Sequence, residues 1–131
     1  MLRILCVEDN PENRTLLRRI LAAEGYIVSE ASNAFEGLQI ALVQPPDLIL
    51  LDVNMPHVDG LTLAARLKSY PSLVHVPVVA ITANVMRGDR ERSLAAGCDG
   101  YIQKPIDVDT LPAQVARFLH PLPVPMLEAR R

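Results

Sequence analysis

The amino-acid sequence predicts an α/β fold, a doubly wound five-stranded parallel sheet with five helices, and three observations carry that expectation. Short apolar runs alternate five times with longer segments of helical spacing. Two of the runs, residues 48–51 and 76–81, are nearly unbroken and suit central strands buried on both faces. A composition of 50% hydrophobic and 21% charged residues over 131 positions is that of one ordinary globular domain with its own core. That length leaves little room for a second domain, so output is expected mostly from this domain's surface.

In order along the chain, residues 4–7 (Ile-Leu-Cys-Val) form the first strand, too short for a buried helix and stopped by Glu8. Residues 11–24 follow as a helix, with Leu16/Ile20 and Leu17/Leu21 paired four apart, Asn10 as cap, Pro11 in the first turn and Gly25 at the end. Residues 26–31 are the second strand, in which Ile27 and Val28 supply β-branched character. The second helix covers 33–43, with Leu38 and Leu42 four apart and Pro45-Pro46 closing it. Strand 48–51 and helix 61–69 come next, then strand 76–81 and helix 87–96, which ends at Gly97. The charges of that fourth helix, Arg87, Asp89, Arg90, Glu91 and Arg92, read as a solvated face. Residues 101–102 make a brief fifth strand and 109–119 the fifth helix, with Leu111, Val115 and Phe118 or Leu119 on one side and Pro112 in the first turn. We expect a domain over residues 1–120 and an extended tail over 121–131, which carries three prolines and two terminal arginines.

A formal charge of −2 and a sequence pI near 5.9 provide no basic field for a nucleic-acid backbone, so direct nucleic-acid binding is not expected. No apolar run approaches membrane-spanning length, and Glu8 and Asp9 interrupt any secretory pattern at the N-terminus; the expected location is the cytoplasm, with no membrane contact. Cys6 and Cys98 have no metal-ligand spacing and read as buried small apolar side chains. His57, His75 and His120 are scattered singly and read as surface residues.

In an open parallel sheet the reactive crevice lies beyond the carboxyl ends of the strands. There the first strand ends in Glu8-Asp9, the third in Asp52 and the fourth in Thr82, while the fifth leads to Lys104. Three carboxylates that converge repel one another unless a cation neutralises them, and a hard divalent ion suits oxygen donors. Magnesium, with ligands at roughly 2.0–2.1 Å and several retained waters, needs only two or three carboxylates and a backbone carbonyl. Lys104 then offers a point charge and Thr82 a directional donor to phosphoryl oxygens, with an aspartate as nucleophile.

Glu8-Asp9, the run Asp52-Val-Asn-Met-Pro-His-Val-Asp-Gly60, Ile81-Thr82-Ala83 and Gly100-Tyr-Ile-Gln-Lys104-Pro105 together resemble the signature of receiver domains in two-component signalling, over roughly residues 2–119. The resemblance implies the CheY-like, flavodoxin-like strand order 2-1-3-4-5. It makes Asp52 the phosphoacceptor, with Mg2+ held by Asp9 directly, Glu8 through water, Asp52, and the backbone carbonyl of Asn54. Thr82 and Lys104 would contact the phosphoryl group, Ala83 would leave the site open to a donor, and Thr82 and Tyr101 would form the switch. A cis bond between Lys104 and Pro105 would aim Lys104 into the site. The implied partners are a histidine kinase or histidine phosphotransfer protein and a downstream protein that docks on the fourth helix, fifth strand and fifth helix. Within the family the closing segments look most like stand-alone regulators of the DivK kind or receivers of hybrid kinases.

Rival readings leave signatures of their own. A magnesium-dependent phosphatase with an aspartyl nucleophile would carry a second acid two residues later, where Asn54 stands. A flavodoxin-like nucleotide or flavin binder would need a loop friendly to phosphate, yet the first turn is Glu8-Asp9-Asn10-Pro11 and no glycine-rich phosphate loop follows any strand. A degenerate receiver would lack a site residue, and none is missing.

Overall fold

In the computed structural model, which describes residues 1–55, 60–83 and 88–120, strand and helix alternate throughout. β1 (Arg3–Val7) leads to α1 (Pro11–Ala23), β2 (Ile27–Ala31) to α2 (Ala34–Val43) and β3 (Leu48–Asp52) to α3 (Gly60–Lys68). β4 (Val78–Thr82) leads to α4 (Asp89–Ala95) and β5 (Gly100–Gln103) to α5 (Leu111–Leu119). All the strands join one parallel sheet in the order β2-β1-β3-β4-β5, the doubly wound arrangement expected.

Every residue of β3 and β4 is buried, because helices cover both sides of these central strands. On one face Leu5, Val7, Ile49, Leu51, Val78 and Ala80 pack against α2 and α3. On the other, Ile4, Cys6, Leu48, Leu50, Val79 and Ile81 meet Leu17 and Leu21 of α1 and Leu111 and Val115 of α5. This period-two partition follows directly from strand geometry.

Local chemistry sets the element ends. Asn10 Oδ1 accepts from the N–H groups of Glu12 and Asn13 at 2.8 and 3.1 Å, and Pro11 occupies the first helical position. Gly25 takes φ +91° just past α1, a conformation glycine adopts freely. Asn33 caps α2 by accepting from Glu36 N–H at 2.8 Å, and Glu36 Oε1 accepts from Ser32 N–H in return. The start of α5 is later than the sequence suggested: Asp107 Oδ1 captures the N–H groups of Asp109 and Thr110 in a turn, and the helix begins at Leu111. β4 likewise starts at Val78, after Pro77, and runs on to Thr82.

Of the pair Leu38 and Leu42 on α2, Leu38 is partly buried against the core and Leu42 is 37% exposed, while Ala34, Gly37 and Ala41 are buried. A Cβ on Gly37 would come within 2.8 Å of Val7 Cγ2, so the helix backbone lies too close to β1 for large side chains. The solvated face expected of the fourth helix begins outside the described residues at Arg87. Pro56, His57 and the tail at 121–131 also lie outside them.

His75 and His120 are exposed, whereas Cys6 and Cys98 are buried and unpaired. Burial pushes the Cys6 thiol up to about 12 and Cys98 to about 11, and nearby acids add to both shifts. At pH 8 both therefore remain protonated and shielded. Ellman's reagent should leave the native protein unlabelled at pH 8 and modify both thiols after denaturation; rapid labelling of native protein would contradict this packing.

Candidate functional site

The sheet register gathers the polar residues at its carboxyl edge. Val7 is paired with Leu51, so the next positions set Glu8 beside Asp52. Asp52 is paired with Ile81 and Thr82 with Gln103, which brings Thr82 and Lys104 to the same rim. Ligand oxygens of Glu8, Asp9 and Asp52 lie within 4.8 Å of one another. Glu8 is 1% exposed, Asp52 2% and Thr82 fully buried, whereas Asp9 is nearer the solvent.

Lys104 Nζ lies 3.1 Å from Asp52 Oδ2 and 3.8 Å from Glu8 Oε1. The Lys104–Pro105 peptide bond is cis, and Lys104 N–H donates to Thr82 O at 2.8 Å. Asp52 Oδ1 accepts from Asn54 N–H at 2.9 Å, while Asn54 Oδ1 accepts from Ala83 N–H at 3.2 Å. The loops after β3 and β4 are thus tied to each other beside the carboxylate. Tyr101 is half-buried and packs against the α2/α3 side of the core.

One ammonium group cannot neutralise this cluster. Burial pushes the Glu8 carboxyl up to about 7, the adjacent Asp52 adds to the rise, and Asn13 and Lys104 oppose it. Among the described residues Glu8 Oε2 is buried without a hydrogen-bond partner. An orphaned carboxylate oxygen within a set of hard oxygen donors fits a divalent cation of the magnesium type.

Two contributors were not singled out from the sequence. Asn13 Nδ2 donates to Glu8 Oε1 at 2.9 Å, and Arg14 Nη1 donates to the backbone carbonyls of Glu8 and Asp9 at 2.9 and 3.3 Å. A signal for Arg14 was present: a cation in the first turn of a helix opposes the helix dipole and calls for a local reason.

Fold and site together define the class, a CheY-like α/β domain whose acidic rim can hold a metal ion. Comparison with known proteins gives the family. The sequence profile of the response regulator receiver domain matches residues 4–116. The chain is 40% identical over 116 residues to the polar-differentiation response regulator DivK of Brucella anthropi, an alignment that covers 88% of this chain and 94% of that protein. Among solved structures it is similar to the receiver domain of the sensor histidine kinase PA1611 from Pseudomonas aeruginosa, which has a magnesium ion coordinated in its active site cleft. That match has a TM-score of 0.83 at 34% identity and covers 90% of this chain and 97% of the other. The chemotaxis protein CheY4 of Vibrio cholerae matches with a TM-score of 0.87 at 27% identity, covering 91% and 99% of the two chains. The chain belongs to the receiver domain family of two-component response regulators, a signalling family rather than one of metabolic enzymes.

Proposed function

We propose that this protein is a phosphorylation-driven switch of a two-component phosphorelay that accepts a phosphoryl group on Asp52 from a phosphohistidine donor and signals through protein–protein contacts. The observation that carries the reading is the Asp52 carboxylate, buried beside Glu8 and Asp9 with Lys104 Nζ 3.1 Å away. Asp9, Asp52 and the backbone carbonyl of Asn54 would hold Mg2+, with Glu8 acting through water. When bound, the ion offsets the charge of the carboxylates and polarises phosphoryl oxygens.

An Asp52 oxygen attacks phosphorus, the bond from phosphorus to the donor imidazole breaks, and an aspartyl phosphate remains while the imidazole takes up a proton. Lys104 meets the incoming charge as a point cation, and Thr82 supplies a hydroxyl donor. The donor is a histidine kinase or histidine phosphotransfer protein, and the setting is the cytoplasm; among the described residues no helix is long and apolar enough to cross a membrane. Phosphatase turnover is the weaker reading, since Asn54, where such an enzyme needs an acid, is committed to Ala83 N–H. Incubation with acetyl phosphate should yield a shifted band on a Phos-tag gel in magnesium and none in EDTA; equal labelling in both would sink the proposal.

Transmission uses one face of the sheet. Tyr101 is paired with Ala80, and Thr82 follows Ala80 on the same side of β4, so a Thr82 hydroxyl drawn toward new oxygens vacates space next to Tyr101. Movement of Tyr101 remodels the surface of α4, β5 and α5 and gives a downstream protein different affinities for the two states. With beryllofluoride as the phosphoryl mimic, Thr82→Ala should lose most of the hydrogen-exchange response of that face; a response identical to wild type would show that Thr82 does not couple site to surface.

A further inference from the structure

We propose that Arg14 is a positioning residue for the metal-binding carboxylates, its guanidinium fixing the Glu8-Asp9 backbone and thereby the direction in which both acids face the site. The inference rests on the magnesium reading given above and concerns this chain's own support for it. Glu8 and Asp9 lie past the last ladder position of β1 and before α1, a stretch in which neither sheet nor helix satisfies every backbone group. Glu8 N–H donates to Ala31 O at 3.0 Å, which anchors the start of the stretch to β2. Arg14 Nη1 takes both carbonyls, at 2.9 Å and 3.3 Å. On the other side of the guanidinium, Nε lies 3.8 Å from Glu30 Oε1 on β2, and Arg18 Nε holds Glu30 Oε2 at the same distance.

The side chain therefore ties three pieces together, the first turn of α1, the acidic stretch and the β2 edge. A planar fork with donors on several edges can do this, and a lysine ammonium cannot. Its first-turn position is unfavourable to the helix dipole, which argues for a gain realised at the acidic stretch instead. The cation also lies against the carbonyls of two residues whose side chains must crowd into one site with Asp52, which eases the approach of like charges. Asn13, one residue earlier, orients Glu8 from the side-chain end through the 2.9 Å bond to Oε1.

Outer partners of metal ligands typically contribute about 10–100-fold to affinity. Arg14→Gln should accordingly weaken Mg2+ binding about ten-fold in calorimetric titration of the full chain, with the apo melting temperature held within a few degrees of wild type. Arg14→Lys should fail to restore wild-type affinity, and Glu30→Gln, which weakens the ion pairs to Arg14 and Arg18 but leaves both bonds from Arg14 to the backbone carbonyls, should weaken binding less than Arg14→Gln does. Asp9→Asn serves as the direct-ligand control and should lose binding further than any of these. An Arg14→Gln protein with wild-type Mg2+ affinity overturns the proposal, whatever its melting temperature. Full recovery in Arg14→Lys overturns the fork and leaves charge alone. Should wild type bind no Mg2+ at millimolar concentrations, the functional reading itself fails and Arg14 falls with it; a normal wild type beside an unaffected variant rejects Arg14 only.

Discussion

Phosphoryl uptake from acetyl phosphate or a phosphohistidine donor should fall to background in Asp52→Asn, with the fold intact. The amide retains a carbonyl oxygen that can accept the Asn54 N–H now bound by Oδ1 at 2.9 Å, so the local turn survives. What disappears is the anionic oxygen that attacks phosphorus; among the described residues the neighbouring carboxylates are Glu8, buried and bonded to Asn13, and Asp9, a proposed ligand of the metal. Loss of one charge from a crowded set also relieves repulsion on Glu8, whose carboxyl Asp52 helps to push upward. The apo variant should therefore melt no lower than wild type even though Lys104 loses its 3.1 Å partner. Phos-tag gels and circular dichroism melts decide the matter. Residual labelling near wild-type levels would transfer the acceptor role elsewhere.

The second large effect is structural. Gly100 opens β5, and a Cβ built there would collide with the ring of Phe118 on α5. α5 is seated on the sheet by Leu111 and Val115, with the partly buried ring packed beside them, so a Cβ at Gly100 must displace the ring or lift the helix. Overpacking at such a contact typically costs about 1–3 kcal/mol and sometimes more. Gly100→Val, with a branched side chain, should cost about 1–3 kcal/mol, read as a lowered urea midpoint. Phe118→Leu in the same chain should recover part of the loss, because contacting residues do not act additively. Independent effects of the two changes would show that the ring moves aside freely.

Strand number, alternation and the members of the acidic rim were legible in the sequence because each rests on a short-range pattern. β3 and β4 are pure apolar runs, and Asp52 and Thr82 are the polar residues that end them. The side-chain network behind the rim was not legible. The link from Asn54 to Ala83 spans 29 positions, and the contact from Arg14 to Glu30 depends on which strand takes the sheet edge. The buried residues of α2 were not legible for a different reason: periodicity marks large apolar residues, and the buried positions of this helix are the small Ala34, Gly37 and Ala41. The late start of α5 reflects turn chemistry at Asp107 that competes with helix propensity.

That choice of small residues has a consequence for how the domain breathes. Ala34, Gly37 and Ala41 give up little apolar area when α2 lifts away, Leu38 and Ile40 are only partly buried against the core, and Phe35 and Val43, already 70% and 87% exposed, give up almost none. β2 beneath it is an edge strand in which only Ala31 is buried. The α2–β2 margin is thus an edge of the sheet that releases more readily than β1, β3 and β4, which open only with the whole domain. The acidic stretch is anchored in part to this margin, through Ala31 O and Glu30, so release of the margin would loosen it. A cation that draws Glu8 and Asp9 together would lower the amplitude of that opening, and a local binding event would register as slower amide exchange along β2.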